Sequence, residues 1–500
     1  MEPPTTLLYV LVAKRGWLRH QDFIARFREA GDEAARALKN KNLHSVRVTP
    51  TTYRRWLLGT QEPIGDNAIV VERMFHLPIA TLFQPASDRG FLAARPPHQR
   101  SLTAAHRLDL NFTHSYLFPT TAPPGTGGVW YLDGADFFDG TSVAVAQYEA
   151  TRQGDGVVIG VEDLAHVRSF VRPLRRSLLI ASLGAQGGDD LYLLDGAHAR
   201  QRTALPHVDR VTVPGAYRVD PLTYALVWAG LNIDDSLQAD DQALHGEVEE
   251  LAAGLGGERA GIARSAVPDL SCVGAVWLGS HLCANYVDRF LPRSWPSAQL
   301  WVQPQSGEEA AAWLFIRDRH RFLSRLKDQG HGHRSESTAG QVAFCVPEVA
   351  VKGAEPFERV LLLLAMAVME VHHFRVSLCT EPEYAALDEV VVLPRKRAIV
   401  ANWLPRGDGI CHAAVTDDPA RVALYEGAIG HARARSAVAA PDAVSRLRLA
   451  ADYLDLDWAW LTGRCRDLAR TGTKALFRPR SRLVDLGAVE QSIAFLAKAR

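Results

Sequence analysis

The chain has 500 residues, of which 47% are hydrophobic and 22% charged, a composition that is typical of globular proteins and excludes disordered and fibrous classes. This length exceeds what one hydrophobic core supports, so we expect two to four domains. Basic and acidic side chains balance at 56 each, but residues 1–100 hold fifteen basic and nine acidic ones. Residues 464–500 are basic as well. Basic segments at both ends of the chain are typical of a protein that binds a polyanion, and the alternative is a basic surface that is only solvated.

Apolar periodicity predicts a helical region in the first 85 residues. The predicted helices cover residues 5–14, 20–30, 50–58, 65–76 and 78–83, and a polar stretch occupies residues 31–45. The helix at 50–58 carries the strongest local signals. Thr49 is a good N-cap, Pro50 suits the first helical position, and Gly59 suits the end. Its apolar face is formed by Tyr53, Trp56 and Leu57.

The remaining faces of this helix are polar and basic, as in a helix that enters the major groove of DNA. We predict that Arg55, Thr51 and Thr52 reach base edges, because an arginine can grip guanine with two hydrogen bonds. Phosphate contacts hold the register without reading sequence. The predicted DNA-binding residues are Arg47, Thr49, Thr51, Thr52, Arg54, Arg55, Lys39 and Lys41. The alternative is a helical bundle with an arginine-rich surface.

Residues 5–84 resemble the Xre family of helix-turn-helix proteins, which are related to phage repressors. The resemblance is carried by Val48–Trp56 with Gly59 and Pro63, by Val70–Pro78, and by Leu82-Phe83. The sequence departs from the family pattern at Pro50 and Leu57, and a long insert replaces the tight turn before the third helix. The resemblance implies an all-α helix-turn-helix domain that binds double-stranded DNA.

A looser similarity extends over the whole chain, which looks like the large actinobacterial Xre-type regulators. Those proteins pair a divergent N-terminal DNA-binding domain with a long C-terminal region. The blocks that carry the similarity are Phe344–Glu348 and Ala398–Trp403. This similarity implies a transcriptional regulator and no catalytic residue.

Beyond residue 85, the pattern predicts a linker at 86–128 and then mixed α and β structure. Strands are predicted at 129–132, 142–148, 157–161, 177–182 and 191–194, with a hairpin turn at 187–190. Helices follow at 222–231, 243–255, 275–290 and 308–326. Next come a predicted strand at 342–346, a helix at 356–372, and further strands at 374–379, 389–393 and 398–403. Helical structure is predicted over 419–462 and 485–498. We therefore expect a strand-rich then helical domain at 129–340 and an α/β domain with a helical, basic C-terminus at 341–500.

Several polar clusters resemble metal sites in composition but lack the required spacing. The acidic pairs at 234–235 and 240–241 would face opposite sides of a helix, so a solvated loop and helix N-terminus are predicted. His281 with Cys283, and His331 with His333, have no second pair at zinc-site spacing. We predict no metal and no cofactor, and buried thiols at Cys272 and Cys283.

The six scattered cysteines form no CxxC pair and are too few for a disulfide scaffold. Reduced thiols in the cytoplasm are predicted. No secretory signal is predicted at residues 7–13, and Val360–Met369 is much shorter than the roughly 20 residues that cross a bilayer. A buried helix there, and no membrane partner, are expected.

Taken together, these features predict a cytoplasmic, nucleoid-associated transcriptional regulator. The expected partners are operator DNA, a second copy of the chain in a homodimer, and a small-molecule effector. No serine or cysteine nucleophile motif is present, so no catalytic residue is predicted. Two alternatives stay open: a scaffold protein that binds DNA without sequence choice, and an enzyme with a DNA-binding appendage whose active site lies in 129–420.

Overall fold

The computed structural model separates into two compact units, Met1–Tyr131 and Leu132–Arg500. Each unit is a body of its own and is described separately. The structure describes residues 6–14, 17–38, 40–75, 79–83, 127–132, 134, 137–138, 140–183, 190–205, 208–252, 256–292, 298–303, 306–330, 340–404 and 409–499. The predicted linker at 86–128 and the hairpin turn at 187–190 lie almost entirely outside these residues.

Helices make up the described part of the first unit up to residue 83. They are α1 (Leu7–Lys14), α2 (His20–Leu38), a 3-10 helix (Lys41–Ser45), α3 (Pro50–Leu57), α4 (Asp66–Phe75) and α5 (Ile79–Leu82). Four of the predicted helices lie within two residues of their predicted bounds. Helix α2 is longer than predicted because Ala30, Ala34 and Ala35 continue its buried face into the stretch expected to be polar.

Aromatic side chains dominate the core of this unit. Phe23 and Phe27 of α2 lie against Tyr53 and Trp56 of α3, with the Phe23 and Tyr53 ring centroids 4.4 Å apart. The 3-10 helix packs closely on α2 at Gly31, where a Cβ would lie 2.9 Å from the carbonyl oxygen of Leu43. The core therefore fixes the orientation of α3 through its aromatic face.

The strands of the chain are numbered β1 to β13. They span Gly127–Leu132, Thr141–Gln153, Gly156–Ile159, Ser177–Leu183, Leu191–Asp195, Val211–Val213, Arg259–Ala263, Gln299–Val302, Gly340–Cys345, Phe374–Cys379, Val390–Leu393, Arg397–Ala401 and Gly409–Thr416. Strand β1 reaches the boundary of the two units. The remaining strands belong to the second unit and form two sheets.

The first sheet of the second unit has the order β5-β4-β2-β3-β6. Strands β2 and β4 are parallel, and the other neighbours are antiparallel. The side chains of β3 and β4 are almost all buried, which explains their continuous apolar sequence. This sheet places the start of β4 and the end of β5 side by side, since Leu178 is paired with Asp195.

The second sheet has the order β10-β9-β8-β11-β12-β13-β7. Strands β8, β9 and β10 are parallel, and the others are antiparallel. Strands from both sides of residue 340 therefore lie in one sheet, and the predicted division between 129–340 and 341–500 falls inside a single compact unit. Neighbouring strands of this sheet come from residues far apart in the sequence. The predicted domain boundary relied on changes in pattern along the sequence, and such changes do not reveal which strands pair.

Helices cover both the middle and the C-terminal part of the second unit. They are α6 (Leu164–Val171), α7 (Gly196–Thr203), α8 (Pro221–Ala252), α9 (Cys272–Phe290), α10 (Gly307–Phe315), α11 (Arg317–Gly330), α12 (Glu348–Gly353), α13 (Pro356–Val371), α14 (Pro419–Ala434), α15 (Ala443–Tyr453), α16 (Trp458–Thr471) and α17 (Gly487–Lys498). The expectation of a mixed α/β region with a helical C-terminus is confirmed at this level. Among the described helices, none is both long and apolar enough to cross a membrane.

Two differences from the predicted elements concern the length of one helix and strands that were not predicted. Helix α8 runs for 32 residues and joins two helices that were predicted separately. Strand β7 was not predicted, because its side chains are alternately exposed and half-buried and give no apolar signal. Strands β8 and β13 were also missed, and both are paired with strands distant in sequence.

Candidate nucleic-acid interface

The N-terminal end of α3 is capped as the sequence predicts. Thr49 has extended backbone angles, and its side-chain oxygen accepts a hydrogen bond from the Thr52 nitrogen at 3.2 Å. The two threonine hydroxyl oxygens lie 2.9 Å apart. Pro50 takes the first helical position, where its missing N–H costs nothing. The hydroxyl of Thr49 is therefore engaged in capping the helix.

The C-terminal end of α3 closes at Gly59, which has a φ of +65°. The nitrogen of Thr60 donates to the carbonyl of Arg55, and the nitrogen of Gly59 donates to that of Trp56, both at 3.0 Å. This double hydrogen bond is a Schellman motif, and the left-handed conformation it needs favours glycine. Helix α3 is thus fixed at both ends by its own sequence.

One face of α3 is buried in the core of the first unit. Trp56 is 1% exposed and Tyr53 is 3% exposed, so these two residues of the predicted apolar face belong to the core. The Tyr53 hydroxyl donates to the carbonyl of Trp17 at 2.6 Å. Burial, with a smaller contribution from Asp22, raises the pKa of Tyr53 well above its usual value. This hydroxyl stays protonated and holds α3 to the segment that precedes α2.

The opposite face of α3 is a polar stripe that is open to solvent. Thr51, Arg54 and Arg55 are exposed and lie three and four positions apart, so they share one helix face. Leu58, which the prediction did not include, continues the stripe one turn further and is 44% exposed. Neither arginine forms an ion pair with any carboxylate in the described part of the chain.

The other predicted contact residues lie before α3. Arg47 is exposed on the extended segment that leads to Thr49, and Lys41 is exposed on the 3-10 helix. Thr52 is half-buried, because its side chain turns toward the cap. Lys39 lies outside the described residues. Residues 39–49 separate α2 from α3, so the connection is longer than the tight turn of a helix-turn-helix.

The acidic cluster of α8 is placed differently from its prediction. A solvated loop and helix N-terminus were expected, and this prediction is wrong, because the four aspartates lie inside α8. Asp234 is fully buried and paired with Arg176, which also donates to Asp235 at 3.1 Å. Asp240 accepts from the hydroxyl of Ser271 at 2.6 Å. Partners from distant segments satisfy these carboxylates, so their role is structural.

His281 and Cys283, where no zinc site was predicted, each contact another side chain of the second unit. His281 lies 2.7 Å from a carboxylate oxygen of Asp318, and Cys283 is buried with its sulfur 3.4 Å from that of Cys411. The prediction of a buried thiol at Cys272 is wrong: this residue is half-exposed, because it takes the first position of α9. His331 and His333 lie outside the described residues. Across the described ranges, no group of three or more side chains is arranged to hold a metal ion.

A buried polar network occupies the interior beside β8, within the range where the enzyme alternative placed an active site. Glu389 accepts hydrogen bonds from the main-chain nitrogens of Gln303 and Trp403, and burial raises its pKa to about 7. Arg319 is fully buried and donates to the Trp403 carbonyl at 2.7 Å and to the Ser280 hydroxyl at 2.9 Å. Most hydrogen bonds of Glu389 and Arg319 are therefore made with main-chain groups, which favours a structural role for the network.

Sequence reasoning missed a cluster of arginines around one cavity of the second unit. The cavity is lined by Arg175, Arg176, Arg200, Arg478 and Arg480 among other residues. The signals that could have found it are the Arg175-Arg176 doublet and the alternating arginines at 478–482. Neither signal indicates which distant segments meet, so only the folded chain reveals the cavity.

Comparison with known proteins yields no relative: no family model, no curated protein and no solved structure matches this chain.

Proposed function

We propose that this protein is a transcriptional regulator that binds double-stranded DNA through α3. The observation that carries the proposal is the exposed stripe of Thr51, Arg54 and Arg55, opposite a face locked into the core. The two guanidinium groups have no carboxylate partner among the described residues, so they are available to an external anion. A rigid helix that presents unpaired arginines is the form that major-groove readers take.

The dimensions of α3 fit this role. Its eight residues make it about 12 Å long, and the diameter of a helix with its side chains, about 10–12 Å, matches the roughly 12 Å width of the major groove. Arg55 reads a guanine edge with its two-pronged guanidinium group, and Thr51 contacts the neighbouring base pair. Arg54, Arg47 and Lys41 hold phosphates on the flanking strands and set the register.

The second unit, in this proposal, serves for sensing or for self-association. An operator with two symmetric half-sites requires a two-fold symmetric protein, so we expect the chain to bind such an operator as a homodimer. The protein then resides with the nucleoid in the cytoplasm. A small-molecule effector would act by favouring one arrangement of the dimer over another.

The test is selection of bound sequences from a random pool of duplex DNA with the full-length chain at low salt. We expect a recurring motif with inverted symmetry. In the Arg55→Ala variant, the preference at one position of each half-site should weaken by a factor that corresponds to roughly 1–3 kcal/mol. Arg421→Ala is the matched control, because it removes an exposed arginine from α14 in the second unit.

Each outcome distinguishes the proposal from its alternatives. Absence of duplex binding at low salt would refute it. Tight binding that depends steeply on salt but recovers no motif would favour the scaffold alternative. If the Arg55→Ala variant selects the same motif with normal affinity, α3 is not the helix that reads the DNA sequence.

A further inference from the structure

The cavity that the five arginines line lies entirely within the second unit and has a volume of about 230 Å³. Its walls come from three places: the residues that lead into β4, the start of α7, and the segment 478–480 that precedes α17. It is smaller than the roughly 300–1,000 Å³ of pockets for drug-sized ligands, so it suits a small molecule.

The charges around this cavity are unbalanced. Five guanidinium groups line it together with one carboxylate, that of Asp195. Asp195 caps α7 and accepts hydrogen bonds from the nitrogens of Ala197 and His198 at 2.9 and 3.2 Å. Its charge is therefore directed at the helix start, where it stabilises the helix dipole.

Two of the arginines are held in place by the protein itself. Arg176 is buried and pairs with Asp234 and Asp235 on the side of α8. Arg200 donates to the carbonyl oxygens of Val171 and Pro173. These contacts fix the wall of the cavity and leave its positive charge only partly neutralised.

The other three arginines form no ion pair with a described carboxylate. Arg175 lies over the ring of Phe170 at 5.5 Å, and Arg478 and Arg480 are exposed at the mouth of the cavity. Burial, followed by repulsion from Arg176, lowers the pKa of Arg480. The five arginines thus outnumber the three nearby carboxylates, those of Asp195, Asp234 and Asp235, and an anion bound among them would offset the remaining repulsion.

The wall also holds an unused hydrogen-bonding group. The hydroxyl of Ser177 is buried and has no hydrogen-bond partner among the described residues, although Ser177 lines the cavity. The start of α7 approaches it closely, since a Cβ on Gly196 would lie 1.9 Å from the Ser177 oxygen. Only glycine at position 196 allows this approach, which brings β4 and α7 together at the cavity.

We propose that this cavity binds a small organic phosphate, with Arg478 and Arg480 closing on the phosphate from the mouth and Arg176 and Arg200 forming the wall. The planar guanidinium group matches a phosphate with two parallel hydrogen bonds, and such charge-assisted bonds are about twice as strong as neutral ones. The site is independent of α3 and stands whether or not the first unit binds DNA.

The test is calorimetric titration of the full-length chain with glycerol phosphate, inorganic phosphate, sulfate and glycerol. We expect saturable binding of glycerol phosphate with a Kd below about 1 mM, weaker binding of inorganic phosphate and sulfate, and none of glycerol. The double variant Arg478→Ala/Arg480→Ala should bind glycerol phosphate at least about tenfold more weakly. Both substituted side chains are exposed, so the variant should keep the far-ultraviolet circular dichroism and the melting temperature of the parent.

Arg482→Ala is the matched control. Arg482 belongs to the same segment but pairs with Asp241 at 2.9 Å and does not line the cavity, so its loss should leave the affinity unchanged. Absence of binding by glycerol phosphate and inorganic phosphate, or equal binding by the double variant, would overturn the proposal. Equal affinity for sulfate and glycerol phosphate would also contradict it, because the cavity would then bind anions without preferring an organic phosphate. Loss of duplex binding in the double variant, without small-phosphate binding by the parent, would instead make these arginines a DNA contact.

Discussion

Asp234 accepts a hydrogen bond from the main-chain nitrogen of Ser481 at 2.9 Å, so a carboxylate in the middle of α8 anchors the segment that precedes α17. The neighbouring nitrogen of Arg480 donates to the same carboxylate. This contact joins parts of the chain almost 250 positions apart, and it holds Arg480 at the mouth of the arginine-lined cavity. The stability of the second unit and the geometry of its cavity thus depend on one buried side chain.

Replacing Asp234 by alanine should therefore strongly destabilise the second unit. The change leaves the buried Arg176 with Asp235 as its remaining carboxylate partner and removes the acceptor for two main-chain nitrogens. Breaking a buried pair in this way costs about 3–5 kcal/mol. Urea unfolding of the full-length chain measures the effect. Asp241→Ala is the control, because its ion pair with Arg482 lies on the surface and contributes about 1 kcal/mol or less. Equal midpoints for the two variants would contradict the role of Asp234.

The cap of α3 can be tested without DNA. Thr49→Ala removes the acceptor for the Thr52 nitrogen and should cost about 1 kcal/mol. We expect amide exchange in residues 50–57 to accelerate by about fivefold, as measured by hydrogen–deuterium exchange of the full-length chain. Thr51→Ala is the matched control, since the Thr51 side chain is exposed and makes no hydrogen bond within the described structure. Unchanged exchange in Thr49→Ala would show that the cap does not hold the helix.

Lys41 should contribute to DNA affinity without contributing to sequence preference. It is an exposed cation on the 3-10 helix before α3, the position expected of a phosphate contact. Lys41→Ala should weaken binding to all duplex sequences alike and reduce the slope of log K against log salt by about 1. Fluorescence anisotropy at several salt concentrations measures both quantities. Lys352→Ala, at an exposed lysine paired with Glu348 in the second unit, is the control. A selective loss of affinity for one sequence would contradict this assignment.

Glu389 should give the stability of the second unit an unusual dependence on pH. Burial raises its folded-state pKa to about 7 from the usual 4.5, so between these values the folded chain binds a proton that the unfolded chain has released. The contribution of Glu389 to stability therefore falls as pH rises from 4.5 to 7, by at most about 3 kcal/mol.

Melting temperatures of the parent and of Glu389→Gln between pH 4.5 and 8 test this dependence. The variant should have lower overall stability, because one of the two carboxylate oxygens becomes an amide group facing a main-chain N–H. Its stability should nevertheless fall less between pH 4.5 and 7 than that of the parent. Identical pH slopes in the two proteins would mean that Glu389 is ionised throughout this range.

The cysteines should differ sharply in reactivity. Cys272 is half-exposed, and the other five thiols are buried. A water-soluble aromatic disulfide should therefore modify no more than one thiol rapidly in the native chain and all six after unfolding in denaturant. In Cys272→Ser, the rapid phase should vanish. Rapid modification of a second cysteine under native conditions would show that one of the buried thiols is accessible.

Local features of the first unit follow from the sequence alone. The cap at Thr49, the proline at position 50, the glycine at 59 and the apolar spacing of Tyr53 and Trp56 all involve residues a few positions apart. Interactions of that range form whenever the helix forms, so they can be predicted without the fold. The same reasoning places Arg54 and Arg55 on the face away from the aromatic core.

In the second unit, contacts between residues distant in sequence determine the features that were not predicted. The aspartates at 234 and 240 looked solvated because their partners, Arg176, Ser271 and the segment 480–481, are not their neighbours in the sequence. For the same reason, the pairing of strands across residue 340 and the arginine-lined cavity had no sequence signal of their own. The sequence by itself determined the local elements and the exposed arginines of α3, because short-range geometry governs both. Only the tertiary structure decided which charges are buried and which converge on a cavity, because desolvation and pairing depend on what the fold brings near.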